Sequence, residues 1–294
     1  MEATSRKPAW LKVPLPRGPA FAAVDRTLSD LGLHTVCREA RCPNRGECFG
    51  HGTATVMVLG DTCTRNCRFC AVRTGNPHGA LAADEPSRVA SAVAEAGLSY
   101  VVLTSVDRDD LADGGAAHFA SVVAAVRRVA PSVRVEALIP DYRDERLATL
   151  LASGPDVLGH NIEVVRRLTP RIRDPRASYD GSLAVLAEAR AMRAGMLTKS
   201  SLMVGLGETD DEVLEALADL RVVGVDVVTL GQYLQPTRRH WPVDRYVAPE
   251  RFAEWERVAR EMGFAFVAAG PRVRSSYRAA ELFAARRLDG ASGQ

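Results

Sequence analysis

The sequence predicts an α/β protein built as a partial parallel barrel of six strand–helix units, with an extension at each end. Short apolar runs alternate with amphipathic helical stretches through most of the 294 residues, and this alternation favours a parallel sheet with right-handed crossovers. Polar residues cluster just after the apolar runs, where barrel enzymes carry their chemistry. A count of six units fits a partial barrel better than a closed barrel of eight.

Each predicted element rests on a local pattern. The six strands are short apolar runs, at 54–59, 100–104, 133–139, 156–159, 197–204 and 225–230. The helices have apolar residues three and four apart and recognisable start or stop residues. They are expected at 86–96, 118–129 and 143–151, from Tyr179 toward Gly195, after Thr209, and from Pro249 to about 262. Thr209 and Glu212 have the spacing of a capping box.

Length and composition bound the other possibilities. We predict an N-terminal extension over 1–50, the barrel over 51–263 and a C-terminal extension over 264–294. No apolar stretch approaches the roughly 20 residues of a membrane span, and the N-terminus has no apolar signal core. The net charge of +2 is too small to indicate nucleic acid. We therefore expect a cytoplasmic protein that binds neither membrane nor nucleic acid.

The six cysteines form two groups of three. Cys63, Cys67 and Cys70 have the spacing C-x3-C-x2-C, and Cys37, Cys42 and Cys48 have the spacing C-x4-C-x5-C. A chain this large, with no secretion signal, needs no disulfide framework. Structural zinc takes four ligands, whereas three cysteines on a four-iron cluster leave one iron for another ligand. A zinc site of the 37–48 group with His51 stays the alternative.

The C-x3-C-x2-C group resembles the radical S-adenosylmethionine enzymes, in which an aromatic residue precedes the last cysteine, as Phe69 does here. The resemblance implies that the open iron of a 4Fe-4S cluster is chelated by the amino and carboxylate groups of S-adenosyl-L-methionine. Cleavage of that cofactor then yields methionine and a 5′-deoxyadenosyl radical. Phe69 would lie beside the adenine, although a plain core position explains it equally well.

Nearly the whole chain resembles the lipoyl synthase family. The matching segments include the second cysteine group, 104–110, 160–163, 198–209, 230–237 and Arg274-Ser-Ser-Tyr277. The family's activity is a radical-mediated insertion of two sulfur atoms, at C6 and C8 of an octanoyl group on a lysine of a lipoyl carrier domain. The resemblance implies two 4Fe-4S clusters, of which the one on Cys37, Cys42 and Cys48 donates the sulfur and is consumed.

The same resemblance implies further site residues. Ser276 would be the fourth ligand of the sulfur-donating cluster, where its alkoxide is a hard ligand that is readily protonated and released. Without the resemblance, Ser275 and Ser276 would be read as turn caps. S-Adenosylmethionine contacts are expected from Thr104 or Ser105, Asn161, Glu163, Lys199 and the segment 205–208. Asn161 could equally cap a loop, and Glu163 could be an acid at a helix start.

Expected partners follow from the family. They are octanoylated lipoyl carrier domains (the glycine cleavage H protein and 2-oxoacid dehydrogenase E2 subunits), an electron donor such as flavodoxin or ferredoxin, and an iron–sulfur carrier that rebuilds the spent cluster. We expect a monomer.

Two other functions remain open at this point. A methylthiotransferase also uses an upstream cysteine triad, but it would carry a separate upstream domain and an RNA-binding tail. A zinc-stabilised nucleic-acid-binding module would need a basic stripe with aromatic residues. Here the arginine doublets 127–128, 166–167 and 238–239 are scattered along the chain.

Overall fold

A computed structural model describes residues 7–13, 18–39, 42 and 44–277. Its main sheet has eight strands in the order β1-β2-β5-β6-β7-β8-β9-β10, and a two-stranded sheet pairs β3 with β4. Seven strands of the main sheet run parallel, and β1 is antiparallel to β2 at the edge. The strands are β1 His34–Thr35, β2 Thr53–Val58, β3 Thr62–Cys63, β4 Arg73–Thr74, β5 Tyr100–Ser105, β6 Arg134–Leu138, β7 Val157–Gly159, β8 Leu197–Val204, β9 Val227–Gln232 and β10 Phe266–Gly270.

Helices follow most of the parallel strands and cover the outside of the sheet. They are α1 Pro19–Asp30, α2 Val36–Glu39, α3 Arg45–Gly50, α4 Glu85–Glu95, α5 Ala116–Val129, α6 Asp144–Ala152, α7 Thr169–Ile172, α8 Tyr179–Met192, α9 Asp210–Val222 and α10 Pro249–Glu261. Short 3-10 turns lie at Ala9–Leu11 and Arg166–Leu168.

The core has two large parts. The first packs β2, β5 and β6 against α4, α5 and α6, and includes Val101, Phe119 and Leu147, each fully buried. The second packs β8, β9 and β10 against α9 and α10, and includes Leu217 and Trp255. Because the seven strands are parallel, their carboxyl ends meet at one rim, and the loops that leave this rim carry the candidate site.

The predicted fold is confirmed, with additions at both edges. All six predicted strands are present, as is the capping box, in which Thr209 Oγ1 accepts from the Glu212 amide and Glu212 accepts from the Thr209 amide. The prediction missed β1 and the seventh parallel strand β10. Phe266–Gly270 lies in the segment predicted as the C-terminal extension, and residues 278–294 of that extension lie outside the described residues. No helix of the described residues is long and apolar enough to cross a membrane.

Candidate functional site

Cys63, Cys67 and Cys70, called here the barrel triad, lie on the loop that leaves the carboxyl end of β2. Backbone amides donate to all three sulfurs, with Val72 the donor at Cys70. The amides of Arg65 and Asp107 lie 3.4 Å from Cys63 Sγ, and the amide of Asp174 lies 3.3 Å from Cys67 Sγ. Such donors stabilise negative charge on sulfur, so the loop is suited to hold thiolates.

Loops from the far side of the rim brace the barrel triad. The Arg68 amide donates to the Ile172 carbonyl at 2.7 Å, and the Trp241 amide donates to the Arg68 carbonyl at 2.8 Å. His240 Nε2 lies 2.9 Å from the Cys70 carbonyl oxygen. The cysteine loop is therefore held from β7 and β9 as well as from its own strand.

A charged network lies beside the barrel triad. Arg65, between the first two cysteines, is largely buried and pairs with Asp107 at 3.3 Å, with Asp109 at 3.2 Å and with Asp141. These carboxylates raise the pKa of the Arg65 guanidinium. The network joins the cysteine loop to the loops after β5 and β6, so three neighbouring strand ends share one cation.

Cys37, Cys42 and Cys48, called here the extension triad, lie on a different support. Cys37 is on α2 and Cys48 on α3, and the Cys42 amide donates to the Cys37 carbonyl at 3.1 Å. Both short helices follow the edge strand β1 and pack against β2. The extension triad thus sits at the open edge of the barrel, built by the N-terminal extension.

The segment after β10 reaches the extension triad. Asn44 Nδ2 donates to the Arg272 carbonyl at 2.6 Å, and the Tyr277 hydroxyl donates to Glu47 Oε1 at 3.0 Å. Arg274 is close enough to Cys42 for its charge to favour the thiolate. Ser276 is half-buried in the turn that the Tyr277 amide closes onto the Arg274 carbonyl. The predicted fourth ligand therefore lies on the segment that meets this triad.

Gly231 at the end of β9 explains how the segment comes so close. A Cβ atom built on Gly231 would lie 2.1 Å from the Val273 carbonyl oxygen. Only glycine lets the backbone of the C-terminal segment cross the strand end at this distance.

The thiols of each triad disfavour one another's ionisation. Burial and the neighbouring cysteines raise the pKa of Cys37 to about 11 and of Cys48 to about 12. The same two causes raise the pKa of Cys70 to about 12. Three thiolates at such a site need a cationic centre, and binding one would displace the thiol protons.

The donor sets fit iron–sulfur clusters better than zinc. His51, the alternative zinc ligand, is exposed and has Nδ1 2.7 Å from the Glu47 carbonyl oxygen. Within the described ranges, no three His, Cys, Asp or Glu side chains are grouped as they would be around one metal ion. Thiolates that bind separate irons of a cluster stand farther apart, and the six cysteines of the chain provide three thiols for each triad and none beyond that. All six cysteines are free thiols in the structure.

Asn161 and Glu163, predicted to contact S-adenosylmethionine, lie together on the loop after β7. Asn161 Nδ2 donates to Glu163 Oε1 at 3.1 Å. Glu163 has φ +66°, which is strained for a residue with a side chain. Its charge acts on Cys67 and Cys70, and burial raises its own pKa, with Arg173 opposing.

Arg173 supplies an unmet donor in the same place. Its Nη1 donates to Ser182 Oγ at 2.8 Å, but its buried Nε has no hydrogen-bond partner among the described residues. A buried donor of this kind usually marks a missing polar group. The pair of Glu163 and Arg173 therefore fits a zwitterionic ligand beside the barrel triad.

The other predicted cofactor residues have different surroundings. Thr104 and Ser105 close β5 at the rim, next to Asp107, and Phe69 is half-buried against the second part of the core. Lys199 has a partner that was not predicted. Its ammonium bonds both Glu136 oxygens, at 2.9 and 2.8 Å, inside the barrel, and both side chains are at most 2% exposed. The ammonium is therefore committed to Glu136 and does not reach the rim.

Two polar residues, which follow β8 and end β9, brace loops at the rim. Glu208 accepts from the Gly205 amide at 2.7 Å and from the Leu206 amide at 2.9 Å, and buried Gln232 joins β9 to the Arg245 carbonyl at 3.0 Å. The sequence reading missed Asp174 and Trp241, which follow turns with no motif of their own. Long-range contact alone identifies them.

Comparisons with known proteins agree with the cysteine pattern. Residues 57–220 match the family model of the radical SAM superfamily, and residues 1–42 match that of the N-terminal domain of lipoyl synthase. Lipoyl synthase of Thermus thermophilus is 59% identical over 94% of this chain and 86% of its own length. Lipoyl synthase of Sorangium cellulosum is 54% identical over 97% of this chain and 81% of its own.

Solved structures share the fold at low identity. Methylornithine synthase has a TM-score of 0.53 at 16% identity, over 92% of this chain and 88% of its own. The FeFe-hydrogenase maturase HydG from Carboxydothermus hydrogenoformans has a TM-score of 0.58 at 14% identity, over 81% and 66%. The two family models, the identity over nearly the full length and the two separately supported cysteine triads lead to one conclusion: the chain belongs to the lipoyl synthase family of radical SAM, sulfur-inserting enzymes.

Proposed function

We propose that the two triads divide the family's reaction between them. The barrel triad holds the 4Fe-4S cluster that binds and cleaves S-adenosyl-L-methionine. The extension triad, with Ser276, holds the 4Fe-4S cluster that gives up sulfur to C6 and C8 of the octanoyl group. The observation that carries this division is the placement of six cysteines on two different supports, with the Arg274–Tyr277 segment beside only one of them.

When bound, the first cluster supplies the electron that cleaves S-adenosylmethionine, and the second supplies sulfur. The chain's residues bind, orient and shield. Backbone amides stabilise the barrel thiolates, while Glu163 and Asn161 are suited to accept from the cofactor's ammonium or ribose hydroxyls. The free Nε of Arg173 is suited to a carboxylate. Thr104, Ser105 and Phe69 stay predictions as further contacts.

Ser276 is proposed as the ligand that leaves. Thiolates are soft ligands that hold iron firmly, whereas a serine oxygen is hard and becomes a poor ligand once protonated. The contacts of Asn44 and Tyr277 keep the C-terminal segment near the triad when the Ser276 oxygen dissociates from the iron. The chain can thus expose one iron without losing the segment.

The substrate is an octanoyl group on a lipoyl carrier protein. The glycine cleavage H protein and the E2 subunits of 2-oxoacid dehydrogenases are the proposed carriers. A flavodoxin or ferredoxin electron donor, an iron–sulfur carrier that rebuilds the spent cluster, the monomeric state, the cytoplasmic location and the absence of nucleic-acid or membrane partners also stay predictions.

Anaerobic purification followed by a single turnover tests the proposal. We expect a brown protein with about eight irons per chain that converts an octanoylated carrier peptide into lipoyl peptide, read by mass. Alanine at all three cysteines of either triad should halve the iron and leave no lipoyl product. A colourless protein with stoichiometric zinc, or full product from either triple variant, would contradict the proposal.

A further inference from the structure

Four arginines and a tryptophan form one basic surface over the cysteine loop. This arginine surface consists of Arg68, Arg171, Arg238, Arg239 and Trp241. The guanidinium carbons of Arg68 and Arg171 lie 4.6 and 5.3 Å from the centre of the Trp241 ring. Arg238 and Arg239 lie in the turn just before Trp241, closed by the His240 amide on the Thr237 carbonyl.

The positive charge of this surface is not balanced locally. The four arginines are exposed, and none forms an ion pair with a described residue. Neighbouring rim arginines behave differently, since Arg167 pairs with Glu212 and Arg176 with Asp109 and Asp174. A cluster of like charges that is kept unpaired creates a potential that attracts acidic partners.

The arginine surface touches the barrel triad and not the extension triad. His240, next to Trp241, lies 2.9 Å from the Cys70 carbonyl oxygen, and the Trp241 amide bonds the Arg68 carbonyl. One residue therefore separates the surface from a cysteine of the barrel triad. The extension triad is contacted instead by α2, α3 and the segment after β10.

We propose that the arginine surface is the docking site of an acidic protein that donates one electron to the barrel-triad cluster. This inference rests on the proposed function, because it requires a reducible cluster on Cys63, Cys67 and Cys70. The donor is oxidised by one electron and the cluster is reduced by the same electron. A donor at this surface lies against the loop of the barrel triad, whereas α2, α3 and the segment after β10 surround the extension triad.

The test removes charge from the surface without touching the cysteine loop. The test variant carries both Arg238→Gln and Arg239→Gln. The control variant carries both Arg26→Gln and Arg128→Gln, at two exposed arginines elsewhere that form no ion pair with a described residue. Each enzyme, with both clusters loaded, forms 5′-deoxyadenosine either with a reduced acidic flavodoxin or with dithionite. The Kd of the same flavodoxin is measured by titration calorimetry at low and high salt.

We expect the 238/239 variant to bind flavodoxin about tenfold more weakly at low salt and to lose a similar factor in flavodoxin-driven rate. Its dithionite-driven rate should equal that of the control. Equal flavodoxin binding in the two variants would overturn the proposal. A higher KM for the octanoylated carrier with either reductant would assign the surface to the carrier instead. A wild type that forms no 5′-deoxyadenosine with dithionite would contradict the proposed function itself.

Discussion

The barrel triad and the extension triad have the same three thiols and very different surroundings. Backbone amides donate to sulfurs of both triads, but only the barrel triad has its backbone held by the loops after β7 and β9. The extension triad lies on two short helices, and few side-chain contacts tie it to the last described segment. A site supported from several strands of one sheet suits a cluster that must persist. The extension triad instead joins the N-terminal helices α2 and α3 to the segment after β10, so it depends on contacts between two segments that are far apart in the sequence.

Cysteine replacement should separate the functions of the two triads most strongly. Replacing Cys63, Cys67 or Cys70 by Ala should abolish 5′-deoxyadenosine formation, because the open iron that anchors S-adenosylmethionine is lost. Replacing a cysteine of the extension triad should leave cofactor cleavage and abolish sulfur insertion. Both products are quantified in one single-turnover assay. Lipoyl product from an extension-triad variant shown to lack its cluster would contradict the separate roles of the two triads.

Ser276 gives the next largest expected effect. Ser276→Ala should keep a cluster on three thiolates, yet its sulfur transfer should fall sharply because the hard, releasable ligand is gone. Ser276→Cys should yield a more stable cluster that donates sulfur poorly, since thiolate is softer and harder to displace. Iron content and single-turnover product separate the two cases.

Ser275→Ala is the matched control for Ser276, since Ser275 is assigned only a turn position. If Ser275→Ala is inactive in sulfur transfer and Ser276→Ala behaves like wild type, the ligand is Ser275. If both are active, serine does not ligate the cluster.

A smaller effect should come from loosening the C-terminal segment. Asn44→Ala with Tyr277→Phe removes the two hydrogen bonds to Arg272 and Glu47. Each is worth about 1 kcal/mol, so the extension cluster should lose iron up to roughly thirtyfold faster. Iron release to a chelator measures this, and 5′-deoxyadenosine formation should stay unchanged. Equal iron loss from wild type and variant would show that the segment does not secure the triad.

The smallest effect on chemistry is expected at Lys199. Lys199→Met leaves Glu136 buried without its cation, which costs about 3–5 kcal/mol of folding free energy. The melting temperature should fall, while S-adenosylmethionine should bind the folded fraction with unchanged affinity. Lys199→Met with Glu136→Leu should recover most of the stability, since a buried ion pair replaced by apolar residues is often neutral. Weaker cofactor binding in both variants would restore Lys199 to the cofactor site.

Sequence and structure differ in ways that have physical causes. The six central strands and the capping box at Thr209 were predictable because local periodicity and end signals determine them. The strand Phe266–Gly270 was not, because its apolar run is short and its place depends on pairing with β9. The ion pair of Lys199 was not predicted because strand alternation shows which residues face the interior, while the partner Glu136 is 63 residues away in the sequence.

In the candidate site, too, contacts between residues far apart in the sequence were not predictable. Cysteine spacing alone predicted six candidate ligands, because three thiols on a short loop can reach one cluster. Asp174 and Trp241 carry no such spacing and join the site only through contacts across the rim. Arg274 lies in a recognised motif, but its proximity to Cys42 depends on the close crossing at Gly231.

Mössbauer spectroscopy of a single turnover tests the central claim most directly. The iron-57-loaded enzyme is given an octanoylated carrier peptide, S-adenosylmethionine and dithionite, with no added sulfur source. We predict about one lipoyl group per chain at most, with loss of the extension-triad signal while the barrel-triad signal persists. Repeated turnover with both cluster signals intact would show that the extension triad is not the sulfur donor.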